Sequence, residues 1–251
     1  MTVRDIYDSI DLFAPFASQA EWDNSGLLIG DINAEVNKAI ICLDVTMNEL
    51  DFAIKNDAQL IISHHPVIFK SRKNFLSTDV AFVAAKNSIN IISAHTNLDK
   101  AVNGVNDTLC RFISKKFEKI PEPVCDGFLN ICYPESIMSR DEFAELLKTR
   151  LGCHINYCKG NSAVSKIGVC CGSGSDFITD AKALGCDAFI TGEATYHSFL
   201  DADACGIALF TAGHYETEIP VIPELTKLLK KQFTNTEFIE FISLPPIKTV
   251  M

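Results

Sequence analysis

The sequence gathers histidine and acidic residues in three short segments whose side chains are ligands that divalent metals accept. The segments are His64-His65, His95 to Asp99, and His214 to Glu218. Imidazole and carboxylate groups without a thiolate suit zinc, manganese, iron, cobalt or nickel, and they do not discriminate among these metals. Two such ions about 3.5–4 Å apart can generate a hydroxide nucleophile near neutral pH and polarise the bond under attack. The pattern therefore predicts a site for two divalent metal ions per chain and a hydrolytic reaction.

Each segment also has an ordinary structural interpretation. His64 and His65 could be loop residues, one of them capping a helix. His214 and Glu218 could form the first turn of a helix, where an acidic side chain is common near the positive end of the helix dipole. The metal interpretation is favoured because the three segments occur together, and because five of the six histidines follow predicted strands, with His154 as the exception.

Strands and helices alternate along most of the chain. Strands are predicted at 27–30, 39–45, 59–63, 90–93, 167–171, 187–191 and 207–211, and helices at 48–56, 79–86, 105–116, 141–151, 176–184, 194–200 and about 223–231, after a first helix capped by Thr2. In parallel α/β units the functional side chains lie at the carboxyl ends of the strands. The three segments occupy such positions, as do Glu193 and His197. The turn at Pro66 would present both neighbouring imidazoles to one edge of the sheet.

This alternation predicts an α/β fold with two similar lobes. A shift of 128 residues places 41–43 on 169–171 and 61–63 on 189–191. The match is consistent with a duplicated βαβαβ unit, and equally with two unrelated α/β units that agree in part. Prolines interrupt the middle of the chain. We expect a first lobe at 1–120, a crossover segment at 121–165 and a second lobe at 166–251.

Two further loops are candidates for a binding pocket. The segment from Trp22 to Gly26 could line a pocket with an aromatic wall, or it could be a turn in which Trp22 anchors the core. The segment from Gly172 to Ser175 resembles a phosphate loop, because it follows a strand and opens a helix. It lacks the lysine of a Walker loop and the glycine fingerprint of dinucleotide-binding folds, so we interpret it as a tight turn.

Composition narrows the class of partner and compartment. The 251-residue chain has a formal net charge of −10, which disfavours nucleic acid as a partner because like charges repel the phosphate backbone. The first residues carry acids and lack a continuous apolar run, and no stretch is long and apolar enough to span a membrane. Ten cysteines without a Cys-x-x-Cys pair indicate reduced thiols. We therefore expect a cytoplasmic protein that does not bind a membrane.

Five motifs resemble those of the NIF-three-like family, whose members are often labelled GTP cyclohydrolase 1 type 2 or dinuclear metal centre proteins. They are Trp-Asp-Asn-x-Gly at 22–26, Ser-His-His-Pro at 63–66, Ala-His-Thr-Asn-Leu-Asp at 94–99, Thr-Gly-Glu-x-x-x-His at 191–197 and Gly-His-x-x-x-Glu at 213–218. The resemblance covers nearly the whole chain. It implies two α/β lobes facing each other across a dimetal cleft, and a ring-shaped homohexamer. Only about 50 residues separate the lobes, so the chain resembles the short form without an inserted domain.

The resemblance also implies the roles of individual residues. The metal ligands would be His64, His65, Asp99, His214 and Glu218, with Glu218 bridging the two ions. His95 would lie beside the metal ligands without binding the ions itself, or it would bind the substrate. Proton transfer would fall to polar neighbours such as His95 or Glu193.

The reaction implied is the hydrolytic opening of the guanine ring of GTP by a metal-bound hydroxide, which releases formate and gives 7,8-dihydroneopterin triphosphate. The positive charge of two divalent ions exceeds the negative charge of the two ligand carboxylates, so the site would suit a small anionic substrate such as a nucleotide. Two alternatives stay open. One is a phosphoesterase or other hydrolase acting on a different anion. The other is a metal-binding or metal-delivering protein, or a ring-shaped scaffold, with no catalytic role.

Overall fold

The computed structural model describes residues 1–122 and 124–247 as a mixed α/β protein. Its helices are α1 Val3–Phe13, α2 Met47–Lys55, α3 Val80–Lys86, α4 Thr96–Lys100, α5 Val105–Ile113, α6 Arg140–Leu151, α7 Ile178–Ala183, α8 Tyr196–Cys205, α9 His214–Glu218 and α10 Val221–Gln232. Its strands are β1 Gly26–Ile29, β2 Lys38–Cys42, β3 Leu60–Ser63, β4 Asn90–Ser93, β5 Lys116–Lys119, β6 Asn130–Tyr133, β7 Met138–Ser139, β8 Asn156–Tyr157, β9 Ala163–Val164, β10 Ile167–Val169, β11 Ala188–Thr191, β12 Ala208–Thr211 and β13 Glu237–Glu240.

The chain forms two compact units. The first unit comprises residues 1–102 and 222–247, and the second unit comprises residues 103–122 and 124–221. This division differs from the lobes expected from the sequence, which placed 103–120 in the first lobe and the C-terminal segment in the second. The expected crossover segment, 121–165, belongs to the second unit and carries β6 to β9 and α6.

Strand pairing explains where the first unit ends. Its sheet has the order β1-β4-β3-β2-β13, with β2, β3, β4 and β13 parallel and β1 antiparallel to β4. The last strand, β13, pairs with β2 in the register Glu237 to Lys38 and returns the C-terminal segment to the first unit. Helices α2 and α3 connect β2 to β3 and β3 to β4. Strands of this kind are buried on both faces, which accounts for their nearly continuous apolar sequence.

The second unit contains a six-stranded sheet of order β5-β6-β10-β11-β12-β8. Strands β10, β11 and β12 are parallel, with α7 and α8 in the connections, whereas β6 and β8 run antiparallel to their neighbours. Strands β7 and β9 form a separate two-stranded sheet. The helix α5 contacts β5, β6 and α6, and this packing explains why residues 103–120 belong to the second unit.

The two units repeat the same βαβαβ geometry. Adding 128 to the bounds of β3, 60–63, gives those of β11, 188–191, and adding 118 to those of β4, 90–93, gives those of β12, 208–211. The turns after α2 and α7 also agree. The amide of Ala58 donates to the carbonyl of Ala53 at 3.0 Å, and the amide of Cys186 donates to that of Ala181 at 2.9 Å. The correspondence of strands and turns is consistent with the duplicated unit, one of the two interpretations that the sequence left open.

Within the part of the chain that the structure describes, no helix combines the length and the apolar character that crossing a membrane requires. All ten cysteines lie in this part as free thiols. Burial raises the pKa of the Cys186 thiol to about 11, and burial also raises that of Cys153 to about 11. These two thiols therefore stay protonated at neutral pH, so neither is poised to act as a thiolate nucleophile.

Candidate metal centre

The parallel strands of the first unit end level with one another. Cys42 of β2 pairs with Ser63 of β3, which pairs with Ser93 of β4, and the hydroxyl oxygens of Ser63 and Ser93 are 2.8 Å apart. His64 follows β3 directly, and His95 follows β4 after one residue. The register thus brings both histidine segments of this unit to one edge of the sheet, at the carboxyl ends of the strands.

Backbone hydrogen bonds hold His64 and His65 beside the end of β2. The amide of His64 donates to the carbonyl of Cys42 at 3.2 Å, and that of His65 donates to the carbonyl of Leu43 at 2.9 Å. The Ser63 hydroxyl donates to the carbonyl of His65 at 2.8 Å. The two imidazole rings lie side by side, with centroids 4.9 Å apart and planes inclined at 44°.

His95 completes a group of three imidazoles. Its ring centroid lies 5.1 Å from that of His64 and 5.6 Å from that of His65. Each ring has one nitrogen placed so that these three nitrogen atoms all lie within 4.8 Å of one another. An acid adjoins the group, since Oδ1 of Asp99 is 3.5 Å from Nε2 of His64. The group can therefore offer nitrogen and oxygen ligands to a divalent ion.

Each of the three histidines has an oxygen partner at Nδ1. The partner of His64 is the carbonyl of Ala94 at 2.9 Å. The partner of His65 is a carboxylate oxygen of Asp44 at 2.7 Å, and that of His95 is a carboxylate oxygen of Asp23 at 2.8 Å. Because carbonyl and carboxylate oxygens accept, we assign the proton of each neutral ring to Nδ1. On that assignment Nε2 carries the lone pair of each neutral ring, which is the form in which an imidazole nitrogen binds a metal ion.

The residues contributed by the second unit lie on and around α9. His214 begins this short helix and Glu218 ends it, so the spacing of four residues places both side chains on one face. Nε2 of His214 is 3.2 Å from Oε1 of Glu218, whose carboxylate is buried. Nδ1 of His214 lies 3.6 Å from Oε2 of Glu193, and the Ser173 hydroxyl donates to the same oxygen at 3.2 Å.

Glycine at the end of β10 leaves space for this acid. A Cβ on Gly172 would lie 2.3 Å from Oε1 of Glu218 and 3.3 Å from Nε2 of His214. The Thr191 hydroxyl donates to the carbonyl of Gly172 at 3.0 Å and accepts from the amide of Gly174 at 2.9 Å. The segment from Gly172 to Ser175 is thus a turn held by hydrogen bonds to Thr191, and its first glycine leaves space for Glu218.

Trp22 is not a core anchor, because 62% of its surface is exposed. Its ring centroid lies 5.9 Å from that of Phe69 in an edge-to-face arrangement, and Phe69 is itself 42% exposed. Both rings border the histidine group: the centroid of His95 is 6.2 Å from that of Trp22 and 6.0 Å from that of Phe69. These side chains form an exposed aromatic pair beside His95.

Sequence reasoning missed three residues of this neighbourhood. Asp44 and Asp23 hold histidine rings, and Phe69 accompanies Trp22. Asp23 lies within the motif Trp-Asp-Asn-x-Gly, but that motif gives no local signal of which side chain the carboxylate contacts. His197, which follows β11 in the sequence, is exposed on α8, where its ring lies 5.8 Å from that of Tyr196.

Each unit by itself carries side chains of the kind that divalent transition metals accept. In the first unit these are three imidazole nitrogens and the carboxylate of Asp99, and in the second unit they are His214 and Glu218. Histidines that bind metals generally donate their other ring N–H to a carboxylate or a backbone carbonyl. The arrangement around His64 and His65 has this form, with Ala94 and Asp44 as the acceptors.

Comparison with known proteins relates the chain to a known family. The model of the DUF34/NIF3 family (NGG1p interacting factor 3) matches residues 1–247. A Clostridium perfringens protein named GTP cyclohydrolase 1 type 2 homolog is 33% identical over 251 residues, covering 95% of each chain. A Helicobacter pylori protein named GTP cyclohydrolase 1 type 2 is 32% identical over 223 residues, covering 86% of each chain.

A solved structure shares the whole fold. The crystal structure of a hypothetical protein from Staphylococcus aureus superposes with a TM-score of 0.89 at 26% identity, covering 100% of this chain and 99% of that one. The family match spans all of the described residues, and the resemblance seen in the five sequence motifs is thereby confirmed. The chain belongs to the DUF34/NIF3 family.

Proposed function

We propose that the protein is a dinuclear metal-dependent hydrolase of the GTP cyclohydrolase type, converting GTP and water to 7,8-dihydroneopterin triphosphate and formate. In this proposal His64, His65, Asp99, His214 and Glu218 would hold two divalent ions. Bound ions of this kind supply Lewis-acid chemistry, lowering the pKa of water and polarising the bond under attack. The side chains around the ions would bind the substrate and transfer protons.

The observation that carries the proposal is the set of Nδ1 contacts. His64 and His65 have their Nδ1 atoms engaged by oxygen acceptors at 2.9 and 2.7 Å, and Nε2 of His64 lies 3.5 Å from Asp99. Ring orientation and tautomer are then set before any ligand arrives, which lowers the cost of binding a metal. A histidine that merely completes a loop does not need this arrangement, and here it occurs on adjacent residues.

Support for a planar, nucleotide-like substrate comes from Trp22 and Phe69. Exposed aromatic rings stack on the faces of nucleobases, and each stacked base contributes about 1–3 kcal/mol. The pair adjoins His95, so a base held there would present its ring atoms to an imidazole. The names of the relatives from C. perfringens and H. pylori support a nucleotide in the same way.

Proton transfer falls to side chains beside the ligands. His95 has its Nδ1 on Asp23, so its Nε2 can accept a proton from an attacking water or return one to a leaving nitrogen. Glu193 is the second candidate, because its carboxylate is half exposed and lies 3.6 Å from His214.

The proposal also includes a ring-shaped homohexamer, as the family resemblance implies, and a mass measurement in solution tests it. A stable monomer would contradict that part.

The decisive experiment measures formate released from GTP by the metal-loaded protein, with His64→Ala as the blank. We expect metal-dependent formate release that the variant lacks. Phosphate release without formate, with the metal sites filled, would replace the cyclohydrolase by a phosphoesterase. Filled sites with no turnover on a panel of nucleotides and other anions would indicate a metal-delivery or scaffold protein. A chain that binds no divalent ion after reconstitution would end all these versions.

A further inference from the structure

The carboxylate of Asp23 contacts both side chains and backbone amides of the first unit, although it is not among the proposed metal ligands. Its side chain is fully buried. Oδ1 accepts from the amide of Asn24 at 2.7 Å and contacts Nδ1 of His95 at 2.8 Å. Oδ2 accepts from the Ser25 hydroxyl at 2.8 Å, and from the amide and hydroxyl of Thr96 at 3.0 and 2.5 Å.

Each of the two hydroxyl groups donates its proton to Asp23 while its oxygen accepts from a backbone amide. The Thr96 hydroxyl accepts from the amide of Ala20 at 2.9 Å, and the Ser25 hydroxyl accepts from the amide of His95 at 3.1 Å. Each oxygen of the carboxylate also faces a backbone N–H, which has no other role than donor. The surroundings therefore present Asp23 with four fixed donors besides His95, and an ionised acceptor satisfies all of them.

The same hydrogen bonds favour the ionised form of Asp23. Burial by itself would raise the pKa of Asp23, but the hydrogen bonds from His95 and Thr96, the charge of His95 and the Asn24 amide outweigh it and hold that pKa well below its usual value. An ionised carboxylate has no proton to give, so Nδ1 of His95 must be the donor of the hydrogen bond between them.

We propose that Asp23 is a positioning residue that fixes His95 in the Nδ1–H tautomer and aims its Nε2 at the neighbouring imidazoles of His64 and His65. The inference rests on the proposed hydrolase function for its catalytic consequence, but the tautomer itself does not depend on that function. Two links tie His95 to the 22–26 loop, one through its backbone amide to Ser25 and one through its ring to Asp23. A ring held in this way keeps its lone pair at Nε2 without paying reorientation energy during the reaction.

The proton balance is simple. In water attack, Nε2 of His95 takes one proton as the new C–O bond forms, and the ring becomes an imidazolium whose Nδ1–H stays on Asp23. When the formyl C–N bond breaks, the same proton passes from Nε2 to the leaving nitrogen, and the second proton of the water is released as the formic acid ionises to formate. Asp23 keeps its charge throughout and stabilises the imidazolium, so it does not itself move a proton.

The test reads the tautomer of the metal-free protein by nitrogen NMR. Long-range proton–nitrogen spectra at mildly alkaline pH distinguish a protonated ring nitrogen from one that carries a lone pair, and His95→Gln assigns the signals. We expect the wild-type ring to be protonated at Nδ1. In Asp23→Asn we expect the ring to lose this single state and shift towards the Nε2–H form that free imidazoles prefer. A wild-type ring protonated at Nε2 would overturn the proposal, even where the variant fails to fold.

Two control variants separate positioning from packing. Thr96→Val removes one hydroxyl donor to Asp23 but leaves the carboxylate, so the tautomer of His95 is expected to stay as it is. Asp44→Asn makes the same chemical change beside His65, and it is expected to alter the His65 signals alone. A shift of the His95 tautomer in either control, or none in Asp23→Asn, would overturn the assignment to Asp23.

The catalytic consequence is measured separately. In metal-loaded protein, Asp23→Asn is expected to lower kcat for formate release by about 100-fold or more while the bound metal content stays unchanged. An unchanged kcat together with a shifted tautomer would limit Asp23 to a structural role and refute its part in the reaction. If wild-type protein releases no formate, the proposed function fails, and the NMR result still decides whether Asp23 sets the tautomer.

Discussion

Gly172 lies against the carboxylate of Glu218, so closely that a Cβ added to this glycine would stand 2.3 Å from Oε1. Gly172 also has φ +59°, a conformation that residues with a side chain rarely adopt. The turn after β10 therefore requires glycine for two separate reasons, and only the contact with Glu218 concerns the proposed metal centre.

Replacement of Gly172 by alanine is expected to displace the Glu218 carboxylate and weaken metal binding. The left-handed conformation by itself costs about 1–2 kcal/mol in folding stability. The clash adds a local effect, because the acid must move away from its position 3.2 Å from Nε2 of His214. Calorimetric titration with a divalent metal should show weaker metal binding in Gly172→Ala than in the wild type.

Gly152→Ala is the matched control. Gly152 ends α6 at φ +67°, and a Cβ there would meet nothing within 4 Å. Its substitution carries a similar conformational cost without the clash, so stability should fall and metal binding should not. Equal loss of metal binding in both variants would attribute the effect to folding and not to the position of Glu218.

The proposed ligand set predicts a selective pattern of metal loss. His65→Ala and Glu218→Ala should each remove bound divalent ions, because each deletes a ligand, whereas His95→Gln should keep them. His154 is exposed and lies outside the three histidine segments, so His154→Ala serves as the control. Elemental analysis after reconstitution and dialysis gives the ratio of metal to protein, expected near two in the wild type. Metal loss in His95→Gln as complete as in His65→Ala would place His95 among the ligands instead.

The sequence predicts much of the fold because its parallel strands can be recognised from short local stretches of sequence. The bounds expected for β4 agree with the structure, and those of β3 and β11 agree within one residue, since short apolar runs there end at polar residues. Helix α8 was expected to end at 200 but continues to Cys205. The Thr195 hydroxyl caps its start and Gly206, at φ +69°, ends it. Caps of this kind outweigh the weak apolar periodicity of the helix.

The pairing of strands distant in sequence and the hydrogen-bond partners of the histidine side chains could not be predicted from local sequence. Strand β13 joins the first unit by pairing with β2, nearly two hundred residues earlier, and nothing local in Glu237–Glu240 indicates that partner. Likewise, the histidine segments could be identified from spacing, but their acceptors could not. Asp23 reaches His95 across 72 residues of sequence, so this contact is fixed by the fold and not by a motif.

The segment 121–165 is expected to contribute to the core of the second unit. Phe143 of α6 is fully buried, and its ring meets that of Phe210 in β12 edge to face, with centroids 4.9 Å apart. Phe143→Ala should destabilise the protein by about 3–5 kcal/mol, which urea unfolding followed by circular dichroism would detect as a lower midpoint. Ile137→Ala, at a 73% exposed position of the same segment, should change stability by less than about 0.5 kcal/mol. Similar midpoints for the two variants would indicate a linker instead.

The aromatic pair beside His95 offers a direct measure of substrate class. Trp22 is the only tryptophan of the chain, so its fluorescence reports on this position alone. A guanine base stacked on the pair should quench that fluorescence, because the ring is exposed and meets Phe69 at 5.9 Å. Excitation at the red edge of the tryptophan absorption avoids absorption by guanine. GTP and guanosine should therefore quench, and tripolyphosphate, which has no ring, should not.

The contribution of the second ring is tested by Phe69→Ala. Loss of a stacking partner costs about 1–3 kcal/mol, so the dissociation constant for GTP should rise roughly 5- to 150-fold. Phe112 is 42% exposed, the same fraction as Phe69, and it lies in the second unit, which makes Phe112→Ala a matched control with no expected effect. Equal quenching by tripolyphosphate, or equal weakening in the two phenylalanine variants, would show that the pair does not recognise a planar ring. Binding at the site would then depend on the charge of the substrate, which would favour a phosphoesterase over a cyclohydrolase.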